Sequence, residues 1–134
     1  MYLKLKECCC AFLGEPVCSE RQPSAEKLFF CFEDYVFYPE KEMLDLIHRE
    51  ERQKDDFIPV RQLPCNEIMH SYLKFRNVER AVPRMTEEAF MRWFYIHIEE
   101  NFGEFTDWMP FREETLIDFG EKWCHENGIK CTKK

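Results

Sequence analysis

A chain of 134 residues with 26 acidic and 19 basic side chains has room for one hydrophobic core and not for two independent ones. Its net charge of −7 opposes non-specific binding to phosphate backbones, which puts nucleic acid low among expected partners. An aromatic fraction of 16% excludes the disordered, charge-dominated class.

The first stretch, Met1-Tyr-Leu-Lys-Leu-Lys6, alternates charge with Leu and lacks the ~7-residue apolar run of a secretory signal. Nothing in the chain approaches the ~18 consecutive apolar residues of a membrane span. The expectation is therefore a cytoplasmic protein with no membrane partner, whose eight cysteines stay reduced. From Tyr2 to Leu13 the Leu3/Leu5 alternation predicts a strand, although Cys8 to Leu13 fits strand or helix. Gly14 to Ala25 gathers Pro16, Ser19, Pro23 and Ser24 and reads as a loop, the most flexible segment, whose removal should cost little.

Leu28-Phe-Phe-Cys-Phe32 and Tyr35-Val-Phe-Tyr38 are short runs of strand-forming residues on either side of Glu33-Asp34, which predicts a hairpin. The turn lacks the Gly that favoured two-residue loops use for positive φ. Pro39, followed by Glu40 and Glu42, opens a helix to about Gln53 with Met43, Leu46 and Ile47 inward and 49–56 solvated. Phe57-Ile-Pro-Val60 reads as an edge strand, because Pro59 cannot donate to a ladder on one side. Pro64 starts a further helix to about Asn77, with Ile68, Met69, Tyr72, Leu73 and Phe75 on one face. A polar connection over 77–83 follows.

The stretch from Thr86 to Gly128 carries all three tryptophans and predicts two amphipathic helices joined by the aromatic turn Phe105-Thr-Asp-Trp-Met-Pro-Phe111. At ~100° per residue, Phe90, Met91, Trp93, Phe94, His97, Ile98 and Phe102 share one arc, with Glu88, Arg92 and Glu99 opposite. Thr86 is the expected N-cap, Glu87 and Glu88 suit the positive helix end, and Gly103 is placed to end the helix. In the second helix Leu116, Ile117, Phe119, Gly120, Trp123 and Cys124 share the apolar face. A glycine there costs ~1 kcal/mol of helix propensity relative to Ala, so a neighbouring helix or ring is expected to approach Gly120 closely. Asn127-Gly128-Ile129 fits a helix stop with Gly128 left-handed and Ile129 folded back near Cys124.

Ala89-Phe90-Met-Arg92-Trp93, Trp108-x-x-Phe111-Arg112-x-Glu114 and Trp123-Cys-x-Glu126-x-Gly128-Ile129 together resemble the C-terminal signature of uncharacterised protein family 0158, a family of small bacterial proteins. The resemblance covers about the last third of the chain. It implies a shared aromatic core in a bacterial protein and transfers no catalytic residue or activity.

Cys8-Cys9-Cys10 with Cys18 is the most unusual feature for chemistry, since closely spaced thiolates are zinc or iron-sulfur ligands. On a strand Cys8 and Cys10 point the same way ~6.6 Å apart, so a zinc site would need a bend and a contribution from Cys124, His125 or Cys131. The competing reading, small buried hydrophobes, suits cysteine generally. Cys124 and His125 are helix neighbours pointing ~100° apart, so they do not form a thiol and its base. His97, on an apolar face, reads as a hydrogen-bonded core residue; His48 and His70 read as solvated. The pairs Glu87-Glu88, Glu99-Glu100 and Glu113-Glu114 diverge on their helices and offer no acid/base pair. There is no glycine-rich phosphate loop, GxSxG or HExxH.

The expected fold is α+β: a small N-terminal antiparallel sheet, a hairpin plus edge strands, followed by a mainly helical C-terminal half, in one domain over 1–134. The expected function is that of a non-enzymatic protein-binding or regulatory module without a cofactor, with Phe105, Trp108 and Phe111 as the partner site. The alternative is a thiol-dependent metal-binding or redox protein using Cys8, Cys10 and Cys18, with zinc as the metal.

Overall fold

The computed structural model describes residues 1–16 and 27–134. Most of the expected loop Gly14–Ala25, and Cys18 within it, lies outside the described residues. The chain runs β1 (Leu3–Lys4), α1 (Leu5–Cys8), a 3-10 turn over Cys9–Phe12, β2 (Leu13–Gly14), β3 (Leu28–Cys31), β4 (Val36–Pro39) and α2 (Glu40–His48). It continues through β5 (Phe57–Pro59), β6 (Leu63–Pro64), α3 (Cys65–Phe75), α4 (Glu87–Glu100), α5 (Trp108–Glu126) and β7 (Cys131–Thr132). The class is the expected α+β, with a helical C-terminal half.

The N-terminal stretch is the first correction. The strand expected over Tyr2–Leu13 gives way after Lys4 to helix and 3-10 turn. Leu5, Cys9 and Phe12 are buried with helical spacing, and that face packs on α5, so a helical period wins over an alternation only four residues long. The two-residue strand β1 survives by pairing in parallel with β7, Leu3 opposite Cys131, which joins the beginning of the described chain to its end. β2 pairs in parallel with β6 in the same way, Leu13 opposite Leu63.

The hairpin forms as expected, with β3 central in a three-stranded antiparallel sheet of order β4-β3-β5 and β5 at an edge. Its loop is Phe32–Tyr35, closed by the Tyr35 amide on the Cys31 carbonyl at 2.8 Å. Tyr35 itself takes the positive φ of 56° that a glycine would otherwise supply. Such a conformation costs a non-glycine residue roughly 1–2 kcal/mol. Two contacts offset it: the Tyr35 ring lies edge-on to Phe30 at 5.1 Å, and its hydroxyl accepts the Lys130 amide at 3.0 Å. α2 stops at His48 and not near Gln53, because the chain turns left-handed at Glu50, φ 60°.

The expected start of α4 and end of α5 hold, but α4 ends at Glu100, ahead of the expected stop at Gly103, and α5 begins at Trp108, inside the aromatic stretch Phe105–Phe111 that was expected to be a turn. The Thr86 hydroxyl accepts the Ala89 amide at 3.2 Å, and Gly128 is left-handed with the Ile129 amide folded back on the Cys124 carbonyl at 2.8 Å. Gly120 faces the Phe12 ring, and a Cβ placed there would stand 2.6 Å from Phe12 Cε2. Phe12 in turn meets Trp123 at 5.6 Å and Phe37 at 5.8 Å, so one fully buried ring ties the sheet and the N-terminal segment to α5. A second aromatic group, Tyr72, Phe94, Phe105 and Trp108, fills the space among α3, α4 and α5. Two residues expected inside are outside: Phe102 is 68% exposed because α4 has already ended at Glu100, and Phe75 is 60% exposed at the last residue of α3.

Candidate functional site

The polar side chains with the strongest mutual contacts serve the fold. Asp34 accepts from Arg52 and, at 2.8 Å, from the Tyr38 hydroxyl; Arg52 first and Tyr38 second hold its carboxyl below the usual range. These contacts pin the hairpin turn to the segment after α2. At the start of α5, Asp107 accepts from Tyr72, whose hydroxyl would otherwise be a buried orphan, and from Arg76 at 3.4 Å. The Tyr72 hydrogen bond is the main cause of a lowered Asp107 pKa, while burial and then Asp107 push the Tyr72 phenol up. Glu87 is opposed by burial, yet Asn66 and then His70 hold its carboxyl below its ordinary value, with His70 Nε2 at 3.0 Å. His70 is exposed, as expected, with one face of its ring stacked on Phe90 of α4 at 3.9 Å.

His97 stacks on Trp93 at 4.7 Å, half-buried, with the Asn101 amide 3.5 Å from Nδ1. It lies at the edge of the core, half-buried, and not inside it as its place on the apolar face of α4 predicts.

The cysteines divide by place. Cys10 is exposed, Cys9 buried, and Cys8 half-buried with its thiol donating to the Lys4 carbonyl at 3.2 Å. Helix and 3-10 turn replace the strand on which the spacing of Cys8 and Cys10 was reckoned. The β1–β7 pairing instead brings Cys8 beside Cys124 and Cys131. Burial pushes the Cys8 thiol up to about 11, with Cys131 adding to it, and the Cys124 thiol up to about 12, with Cys131 and Cys8 adding to that. Among the described residues, no group of three or more His, Cys, Asp or Glu side chains could hold a metal ion. Cys18 lies outside them.

The expected partner site is taken apart by burial. Phe105 is 2% and Trp108 7% exposed, both in the core, so they present no surface to a partner. The reason is that Phe105, in the α4–α5 connection, and Trp108, the first residue of α5, both pack inward: Trp108 meets Phe94 at 4.7 Å and Tyr72 at 5.1 Å, and Phe105 meets Tyr72 at 6.2 Å. Phe111 is only half-buried, and Phe75 lies over it at 5.1 Å with an interplanar angle of 31°. These two rings form a ledge at the junction of α3 and α5. Arg76 borders it, its guanidinium 5.4 Å from the Phe105 ring centroid and donating to the Glu104 carbonyl at 3.0 Å. Sequence reasoning missed Phe75 because the helix face was extended one turn too far; the Arg76-Asn77 stop, with Asn77 left-handed at φ 58°, was the available signal.

It also missed Arg112, which lies between two cavities. The first, about 290 Å3, is lined by Leu13, Ile68, Met69, Trp108 and Tyr95; the second, about 450 Å3, by Lys6, Cys9, Cys10, Met109 and Leu116. Arg112 is half-buried and borders both.

Among the described residues no helix is long and apolar enough to cross a membrane. No family model, no curated protein and no solved structure matches this chain, so the likeness of its last third to uncharacterised protein family 0158 rests on the residues quoted above.

Proposed function

We propose that this chain is a non-enzymatic, cytoplasmic protein-binding or regulatory module that meets its partner with the ledge formed by Phe75 and Phe111. The observation that carries this reading is Phe75, a phenylalanine 60% exposed yet packed against a second ring at a tilt of 31°, beside a guanidinium already fixed by Asp107. Leaving most of so large an apolar side chain in water forgoes a large part of the ~1.5–3 kcal/mol that full burial gives, and aromatic side chains, Phe included, and Arg are enriched at the cores of protein interfaces. The saturated polar clusters around Asp34, Asp107 and Glu87 support a structural role for the titratable groups.

A photo-crosslinking amino acid at position 75 should give one discrete protein adduct in the native cell, and the same amino acid at Val36, also exposed, should not. Identical adducts from both positions, or none from 75, would remove the reading. The alternative, a thiol-dependent metal-binding or redox protein using Cys8, Cys10 and Cys18, has in Cys10 an exposed thiol lining the same cleft as Lys6 and Arg112. Stoichiometric zinc in protein purified without chelator would favour it over the ledge.

A further inference from the structure

Half-buried arginines elsewhere in this molecule have carboxylate partners: Arg52 has Asp34, and Arg76 has Asp107. Arg112 makes no hydrogen bond or ion pair with any described residue, although Glu15 borders the first cavity and Glu113 the second. A guanidinium with no carboxylate partner among the described residues, lining two half-open clefts, suits an anion supplied from outside. The wall around it is apolar on one side. Leu13, Ile68, Met69 and Trp108 line the first cavity, and Ile68 and Met69 are fully buried at the back of it.

We propose that the cavity among α3, α4 and α5 binds a small amphipathic monocarboxylate, its carboxylate on the Arg112 guanidinium and its apolar tail against Leu13, Ile68, Met69 and Trp108. A volume of about 290 Å3 stands at the lower end of the ~300–1,000 Å3 of ligand sites, which limits the ligand to a short tail or a single ring. One planar fork matches one carboxylate in bidentate geometry. A phosphate dianion would leave a charge unmatched and facing Glu15. Tyr95, at the mouth, can donate its hydroxyl to the same head group.

Octanoate is the probe, and tryptophan emission the signal, because Trp108 lines the cavity. The wild-type protein should bind octanoate saturably, and Arg112→Gln should weaken binding about tenfold or more, the scale of losing a charge-assisted hydrogen-bond pair. Arg112→Lys, which keeps the charge, should weaken it less, and octanol should bind wild type and Arg112→Gln alike. Melting temperatures of both variants close to wild type would show that folding is intact. Absence of saturable octanoate binding, or equal affinity in Arg112→Gln, overturns the proposal. Phe75→Ser should leave octanoate binding unchanged, so this site and the ledge stand or fall separately.

Discussion

Replacing Gly120 by Ala puts two effects against each other. Ala is favoured over Gly in a helix interior by ~1 kcal/mol, which taken alone makes the variant more stable. The new Cβ, however, would sit 2.6 Å from Phe12 Cε2 and 2.8 Å from Cδ2, closer than carbon atoms pack. Phe12 cannot swing away: it is fully buried and bounded by Trp123 at 5.6 Å, Phe37 at 5.8 Å and Phe119 at 6.2 Å. Overpacking of a closed core costs typically ~1–3 kcal/mol, and a ring held from three sides belongs at the upper end. The net expectation is a loss of about 1–2 kcal/mol, measured as a lower urea midpoint at constant m-value. Smaller Phe12→Leu should relieve the clash, so that Gly120→Ala costs less in that background, with a coupling of about 1 kcal/mol. A stabilised Gly120→Ala, or additive behaviour in the double variant, would refute the packing of Phe12 on α5.

The other predictions concern the cap, the thiols and the carboxylates. Thr86→Ala removes the hydroxyl that accepts the Ala89 amide and should destabilise by ~0.5–2 kcal/mol in urea, with Thr86→Ser close to wild type. Unfolded thiols ionise near 9, whereas Cys8 and Cys124 hold their protons to about 11 and about 12, so the folded state keeps more protons in that window and stability should fall as pH rises above 9. Cys124→Ala should flatten that alkaline slope, and in the native protein Cys10 should alkylate far faster than Cys124; equal rates would contradict the burial. Asp107 has a depressed folded pKa, so its contribution is present above its unfolded value and is lost as pH falls through the folded one. Asp107→Asn, which still accepts from Tyr72, should therefore flatten the stability profile below about pH 4; an unchanged acid slope would show that the pairing contributes nothing.

How much was legible in the sequence follows from the range of the interactions involved. The start of α4 and the end of α5 were readable because caps and stops act within a turn: Thr86, Gly128 and Ile129 do what their local chemistry dictates, whereas the end of α4 at Glu100 and the start of α5 at Trp108 were not. Gly120 was readable because a glycine on an apolar face has a cost that something must justify, although the sequence could not say that the ring was Phe12. The N-terminal segment was not readable, since Leu3 and Leu5 alternate and only packing on α5 selects the helical set Leu5, Cys9 and Phe12. Nor were the parallel pairs of β1 with β7 and β2 with β6, each two residues long and set by chain closure. The candidate site shifted for a related reason. A helical wheel has no ends, so it buried Phe75 and Phe102, and it could not show that α5 starts at Trp108 with Phe105 and Trp108 packed inward and Phe111 half-buried. Arg112 stood in the sequence only as part of the signature Trp108-x-x-Phe111-Arg112-x-Glu114; what sets it apart, having no hydrogen bond or ion pair among the described residues, depends on the packing around it.

The packing of the first fourteen residues across α5 closes the core on which the ledge and the Arg112 cavity both depend. Nuclear Overhauser effects in the labelled protein test it most directly. Cross-peaks from the Phe12 ring protons to the Gly120 α-protons, together with Leu3 to Cys131, are the expected result. Resonances of Phe12 at unfolded positions with no cross-peak to α5 would contradict it.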